Sequence, residues 1–290
     1  MLASEWLQGW LSLRSGGLRP RTVDCYSGLL RLHILPAMGS TELSEVSAPQ
    51  LAALLAGVAG SGHHRTAEQC YVLLKAAFRA AVQLGWLSRS PMEAVMRPAH
   101  TPRAGCAWSA EDSRIYMRAA LQDRHKMAWV LALLFGLRRG EICGLRWSDI
   151  SLRPGEIHVQ RQLVKLANGT LVEQPPKTRS GIRTLPIPPE VLPLFRSSFR
   201  FGNSRVVPLT PNGLDTAHRK LLASVSVPYI RLHDLRHTMA TNAIRQGASM
   251  RALADVLGHA DPSITAKFYT HPDIILLAST IAAAAQACYT

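Results

Sequence analysis

Residues 233–239 read HDLRHTM, and on a helix His233, Arg236 and His237 stand at i, i+3 and i+4, on one face. Three potential cations on one turn admit three chemistries: a metal site, a solvated basic face, or a grip on an anion. A metal site needs three or four ligands, and the usual helical pair, HExxH, carries a carboxylate between its histidines. Here no Glu lies between them and no clear third ligand follows. A merely solvated face fits poorly with Leu235, Met239 and Ala240, which mark a partly buried helix. The anion reading needs further cations converging from elsewhere, and the sequence offers them. FGLRRGEICGLRW (135–147) places Arg138 just after Gly136, with Glu141 three residues on, a spacing at which a carboxylate can hold a guanidinium. PPKTRSG puts Lys177 in a turn, and LGHADPSITAKFYTH (257–271) supplies His259 and Tyr269. Taken singly, each has an ordinary alternative: a surface ion pair, a turn histidine, a packed tyrosine.

The charge of the chain agrees with an anionic partner. Over 290 residues the net charge is +14, distributed as +3 over residues 1–100, +12 over 101–250 and −1 over 251–290. Only six of the 33 basic residues are Lys, so the field comes from Arg, whose planar fork of donors suits phosphate. A polyanion is therefore the favoured partner. The five cysteines (Cys25, Cys70, Cys106, Cys143, Cys288) never form a CxxC pair, which favours a reducing compartment over a disulfide or zinc framework. MLASEWLQGWLSLRSG lacks the pattern of a secretion signal. No stretch reaches the ~18 apolar residues of a membrane span. A cytoplasmic location is expected, with no membrane partner.

The elements that must position these residues follow from periodicity and end signals. The first ~95 residues read as helices on short loops, a small bundle. Pro20-Arg21-Thr22 opens one helix. Ser47 caps another, with Pro49 in its first turn and Gly57 and Gly60 closing it. Thr66–Gln69 reads as a capping box ahead of Leu73, Leu74, Ala77 and Phe78, and Gly85 as a C-cap. PAHTPRAGCA (98–107) reads as an extended linker. The expected domains are thus 1–97, the linker 98–107, and 108–290. In the second domain Ser109 caps a helix over about 109–121. A second follows over 125–135, then a short one after Gly136. EIHVQRQLV (156–164) alternates as a strand, Asn168-Gly169 makes a hairpin turn, TLVEQ (170–174) returns, and IRTLPI (182–187) adds a third strand to one small antiparallel sheet. From Pro189 the pattern is helical again, ending in the apolar stretch 274–287. The fold class is mainly α with a small antiparallel β-sheet, in two domains.

Arg138, Lys177, His233, Arg236, His259 and Tyr269, in that order, resemble the tyrosine recombinase (phage integrase) family. The matching stretches are GLRRGE, PPKTRSGIRTLPIP, HDLRHTMAT, LGHADPSIT and KFYTH. RPRTVDCYSGLLRLHILPAMG and VLLKAAFRAAVQLGW extend the likeness to the family's N-terminal core-binding domain, so it covers nearly the whole chain. Any one motif is weak, but six positions in order are specific. Phe135 stands where the family often has Thr before GLR; a packed side chain there is expected to have little effect.

The resemblance implies a site-specific recombinase or integrase that cleaves and rejoins DNA without metal, cofactor or ATP. Arg138 and Arg236 would clamp the non-bridging oxygens of a phosphodiester, with His233 and His259 adding hydrogen bonds. Tyr269 would attack phosphorus to give a 3′-phosphotyrosine, its proton passing to His233, while Lys177 protonates the leaving 5′-oxygen. Glu141 and His237 would have supporting roles, the latter in packing. The implied partners are the double-stranded core recombination site, further copies of the chain in a tetramer joined through the C-terminal tail, and accessory bending or directionality factors. Many integrases carry a further N-terminal arm-binding domain, and this chain begins almost directly in the core-binding region, which suits either a simpler recombinase of the Xer type or a trimmed integrase. Its long hairpin around Lys177 looks more like integrases of phages and mobile elements, the class favoured here. Two other readings stay open on sequence grounds: a type IB topoisomerase, and a DNA-binding regulator without catalysis.

Overall fold

The structure, a computed structural model, describes residues 1–101, 105–176 and 178–258. These fall into two compact units: residues 1–101 with 166–168, and residues 105–165, 169–176 and 178–258. No helix among the described residues is long and apolar enough to cross a membrane.

The first unit is helical: α1 (Ala3–Ser15), α2 (Pro20–Leu29), α3 (Leu35–Met38), α4 (Ala48–Gly60) and α5 (His64–Gln83). Trp6, Leu7, Ile34, Leu51, Leu74 and Phe78 lie in its core. Its start signals are mostly those read from sequence. Pro20 occupies the first turn of α2, and the Ser47 hydroxyl accepts the Gln50 N–H at 3.4 Å at the head of α4. Two details differ. α5 begins at His64 with no side-chain cap, so Thr66 lies inside its first turn and the expected capping box is absent. Between α2 and α3 the chain makes a π turn, Leu30–Ile34, with the Leu35 N–H reaching the Leu30 carbonyl. Pro36 explains it: proline has no N–H and its ring crowds the carbonyl four residues back, so the helix widens rather than breaks.

The second unit holds α6 (Ala110–Gln122), α7 (Lys126–Leu133), α8 (Arg139–Gly144), β1 (Ile150–Ser151), β2 (Glu156–Val159), β3 (Gln162–Lys165), β4 (Leu171–Gln174), β5 (Arg183–Pro186), α9 (Leu192–Ser198), α10 (Pro211–Leu222), α11 (Leu232–Arg245) and α12 (Met250–Leu257). Ser109 and Asp112 cap α6 reciprocally, side chain to backbone, at 3.0 and 3.2 Å. Phe135 is buried against Phe195, ring centroids 5.9 Å apart, as its sequence context requires. Trp108 is buried too; its backbone N–H donates to Thr238 Oγ1 at 3.1 Å and its indole N–H to the Pro228 carbonyl at 2.8 Å. The first bond fastens the start of this unit to α11, the second to the segment that precedes it.

The β region corrects the single sheet read from sequence. The run 156–164 is two strands in two sheets. β2 pairs with β1 and, Ile157 opposite Leu185, with β5; β3 pairs with β4, Val164 opposite Val172. The interruption falls at Gln160 and Arg161, whose side chains both donate to Asp149 Oδ1, at 2.7 and 3.0 Å. Asp149 is buried, and a buried carboxylate needs several donors. Satisfying it takes both side chains out of the strand alternation. Gly169, at φ +88°, makes the β3–β4 turn, a conformation that an L side chain resists.

Candidate active site

HDLRHTM is helical, in the first turns of α11. The N–H of Arg231 donates to Asp234 Oδ2 at 2.9 Å, and the Arg231 guanidinium grips the same carboxylate with two bonds of 2.8 Å. Asp234 is buried, which pushes its carboxyl up, but the Arg231 bonds outweigh that and hold it below the usual range. An ionised carboxylate at a helix N-terminus is doubly favoured, by the free N–H groups and by the helix dipole. This anchor fixes the rotation of α11 and sends Arg236 inward, where only 4% of it is exposed.

Arg236 spans two carbonyls, Nη1 to Gly136 and Nη2 to Leu257, each at 2.6 Å. Gly136 has φ +60°, and a Cβ there would come within 2.9 Å of Leu257 Cδ2, so glycine serves both the turn and the close approach. Arg138 follows at the head of α8. Its Nη1 donates to Glu141 Oε1 at 2.8 Å, its backbone N–H to Glu141 Oε2 at 2.9 Å, and its Nη2 to the Gly258 carbonyl at 3.1 Å. The expected Arg138–Glu141 pair is present, and far more buried on the Glu side: the side chains are 35% and 1% exposed.

A third arginine, unnoticed in the sequence, joins them. Arg183 on β5 donates Nη1 and Nη2 to the two oxygens of Glu141, at 3.2 and 3.0 Å, and Nε to the Val256 carbonyl at 2.6 Å. The last carbonyls of α12 and its cap, Val256, Leu257 and Gly258, thus each accept from a different arginine: Arg183, Arg236 and Arg138. Carbonyls at a helix C-terminus lack intrahelical partners and carry the negative end of the helix dipole, so cations converge there naturally. Burial pushes the Glu141 carboxyl up; Arg183 and Arg138 together overcome it and keep the group ionised below its ordinary range.

His233 lies beside this cluster. Its ring stands edge-on to that of His237, centroids 5.0 Å apart. Its pKa is pushed down to about 4, first by desolvation among protein atoms, then by the charges of His237, Arg236 and Arg138, with Asp234 acting the other way. His233 is exposed, which tempers the desolvation, but the cations act in the same direction, so it is neutral at pH 7. It lines an open cleft of ≈ 560 Å³ together with Arg139, Arg219, Tyr229 and Arg231. Arg139 is paired with Asp215, which also lines this cleft. The His237 ring packs on Gly105, where a Cβ would come within 2.9 Å of it.

Of the six residues expected to act, the structure therefore brings together Arg138, His233 and Arg236, with Glu141 and His237 in contact with them. Lys177, His259 and Tyr269 lie outside the described residues, as does the apolar tail. The turn after Lys177, Arg179–Gly181, and the residue before His259 are described, and both meet the cluster: the Gly181 carbonyl accepts from Arg183 and the Gly258 carbonyl from Arg138. No group of three His, Cys, Asp or Glu side chains suited to a metal occurs among the described residues.

Residues 111–274 match the phage integrase family, and residues 3–97 match the phage integrase central domain. The chain belongs to the phage integrase family. Among curated relatives, this integrase-family chain is 29% identical to a tyrosine recombinase XerC-like protein of Caldanaerobacter subterraneus subsp. tengcongensis, over 68% of this chain and 60% of that one. It is 28% identical to a putative prophage phiRv2 integrase of Mycobacterium tuberculosis, over 88% of this chain and 70% of that one. Its fold is that of solved integrases. A structure of the Tn1549 transposon integrase in complex with transposon right end DNA superposes with TM-score 0.79 at 21% identity, over 98% of this chain and 100% of that one. A lambda integrase tetramer bound to a Holliday junction gives TM-score 0.67 at 20% identity, over 90% and 78%.

Proposed function

We propose that this member of the phage integrase family is a site-specific DNA recombinase of a phage or mobile element, cleaving and rejoining strands through a 3′-phosphotyrosine. The observation that carries the reading is the preformed arginine cluster. Arg138 and Arg236 come from helices about a hundred residues apart in sequence, yet their guanidiniums end on adjacent carbonyls, Gly258 and Leu257, one residue before His259. Donors fixed before substrate arrives need no reorganisation as charge builds on phosphorus.

In the proposed reaction the Tyr269 hydroxyl attacks phosphorus, its proton passes to His233, and the bond to the 5′-oxygen breaks as Lys177 protonates that oxygen. Attack by another 5′-hydroxyl on the phosphotyrosine reverses these steps on a new strand, conserving the bond energy. Neutral His233 is in the right state to accept a proton. A phosphate seated between Arg138 and Arg236 would offset their repulsion and make His233 a better base. His259 supplies a further hydrogen bond. In this reading residues 1–97 bind the DNA core site, 98–107 connect, and 108–290 catalyse. The partners are double-stranded DNA and other copies of the chain, tetrameric on DNA, with the tail 273–290 docking on a neighbour.

The test is covalent trapping on a nicked half-site. Wild type should form a protein–DNA adduct with a free 5′-hydroxyl, and Tyr269→Phe should bind the same DNA and form none. Adducts in that variant would assign the attack to another group, Tyr229 or Tyr289.

A further inference from the structure

Arg183 is nearly as hidden as its partner, its side chain 7% exposed against 1% for Glu141. Its planar fork meets both carboxylate oxygens side by side, while Nε reaches the Val256 carbonyl at 2.6 Å and Nη1 also reaches that of Gly181 at 3.1 Å. One guanidinium therefore links three segments: α8 through Glu141, the turn Arg179–Gly181 that follows Lys177, and the end of α12 that precedes His259. The packing around it leaves no slack. Gly258 sits at φ +64°, and a Cβ there would meet the Ser180 carbonyl at 2.6 Å and Arg183 Cδ at 3.2 Å, so the turn and the helix end are already in contact.

A buried ion pair is weak evidence for stability, because a pair of well-packed apolar side chains often does as well. What apolar residues cannot do is orient a second guanidinium. Arg138 is oriented by Glu141 and by the Gly258 carbonyl, and both of those are themselves held by Arg183, directly or through contact. We infer that Arg183 is a positioning residue: acting through Glu141, it aims the Arg138 guanidinium. The inference rests on the recombinase reading for its effect on rate, and on the apo protein alone for the link to Glu141.

The experiment compares Arg183→Met, Arg183→Lys, Arg138→Ala and the double variant Arg183→Met/Arg138→Ala in single-turnover adduct formation and in half-site binding. A reacting group displaced by ~1 Å can cost on the order of 10²-fold in rate, so Arg183→Met should slow adduct formation ~10- to 100-fold. Half-site affinity should stay within about twofold, because many other arginines contact the polyanion. Arg183→Lys, which keeps the charge and one contact, should recover part of the rate. On the Arg138→Ala background, Arg183→Met should add little, since the group it positions is gone. Equal losses in both backgrounds, or affinity falling in parallel with rate, would overturn the inference. A separate readout needs no DNA: the Glu141 carboxyl, followed by carbon NMR in the full chain, should titrate at higher pH in Arg183→Met. If wild type forms no Tyr269-dependent adduct, the recombinase reading fails, and this titration decides the link: a higher midpoint upholds it, an unmoved one refutes it.

Discussion

Replacing Arg236 by Ala should damage stability and chemistry together, whereas Arg138→Ala should damage chemistry almost alone. Arg236 is buried and makes charge-assisted bonds of 2.6 Å to two carbonyls, Gly136 and Leu257. Each such bond contributes about 1.5–3 kcal/mol net, and alanine leaves both acceptors buried without that partner. Relief from burying a guanidinium offsets part of the loss, so a net cost of about 2–4 kcal/mol is expected. At roughly 2–4 °C per kcal/mol for a domain of this size, the melting temperature of the second unit should fall by about 5–15 °C. Arg138 has 35% of its side chain exposed, and Glu141 keeps Arg183 when Arg138 is removed. Its deletion should cost about 0.5–1 kcal/mol, near the range for a partly exposed pair. Both variants should slow adduct formation on the order of 10²–10³-fold, as for the loss of a preorganised oxyanion donor, with half-site affinity little changed. Scanning calorimetry and single-turnover cleavage decide it. Equal melting temperatures for the two variants would refute the burial argument, and affinity losses matching the rate losses would make both residues backbone anchors.

Acid should unfold the second unit in two stages. His218 and His233 are both held below the ordinary value of 6.5, first by burial, so the unfolded chain takes up protons first and stability falls as pH drops below about 6.5. Glu141 and Asp234 are held below their ordinary values, so the stability they contribute is full above about pH 4.5 and is lost as pH falls further; a urea midpoint that rose on acidification would contradict both signs. Lys177→Ala should be nearly inert on ordinary DNA and close to wild type on a 5′-bridging phosphorothiolate, whose thiolate leaves without a proton; no rescue would shift the acid role to a neighbour such as Lys165. Removing residues 273–290 should leave a monomer that binds a half-site but loses cooperative assembly and strand exchange, and gel-shift assembly equal to that of the full chain would place the tail in its own core.

The parts legible from sequence are those with local causes. The Ser47 and Ser109 caps, Pro20, and the Asn168-Gly169 turn act within a few residues, and each stands where its chemistry requires. The Arg138–Glu141 pair is local as well. What escaped is non-local. The split of 156–164 into β2 and β3 depends on Asp149, a carboxylate whose burial no local pattern announces. Arg183 escaped for the same reason, although a signal was present. It shares a strand face with buried Leu185, two residues on, and an arginine on the apolar side of an alternating strand must meet a carboxylate.

Holding like charges together before any substrate arrives is the central physical problem of the proposed phosphate site. Arg138, Arg183 and Arg236 carry like charges, and after burial and His237, Arg236 and Arg138 both help to depress the His233 pKa. Among the described residues one carboxylate, Glu141, pairs with Arg138 and Arg183. Carbonyl dipoles add to it, and the end of α12 offers three in succession, at Val256, Leu257 and Gly258. Their orphan lone pairs and the negative end of the helix dipole stabilise the cluster without adding a formal negative charge that would compete with DNA. A second buried Asp or Glu would do the same work but would bind the guanidiniums as strongly as a phosphate does, and so would cancel the attraction the site needs. The short α12, with an apolar face on Leu253, Ala254 and Leu257 and its left-handed glycine cap, thus serves as more than a connector. It presents neutral acceptors that hold arginines in place, which in the proposed function leaves their charge to attract a phosphodiester and to meet the charge that builds on it.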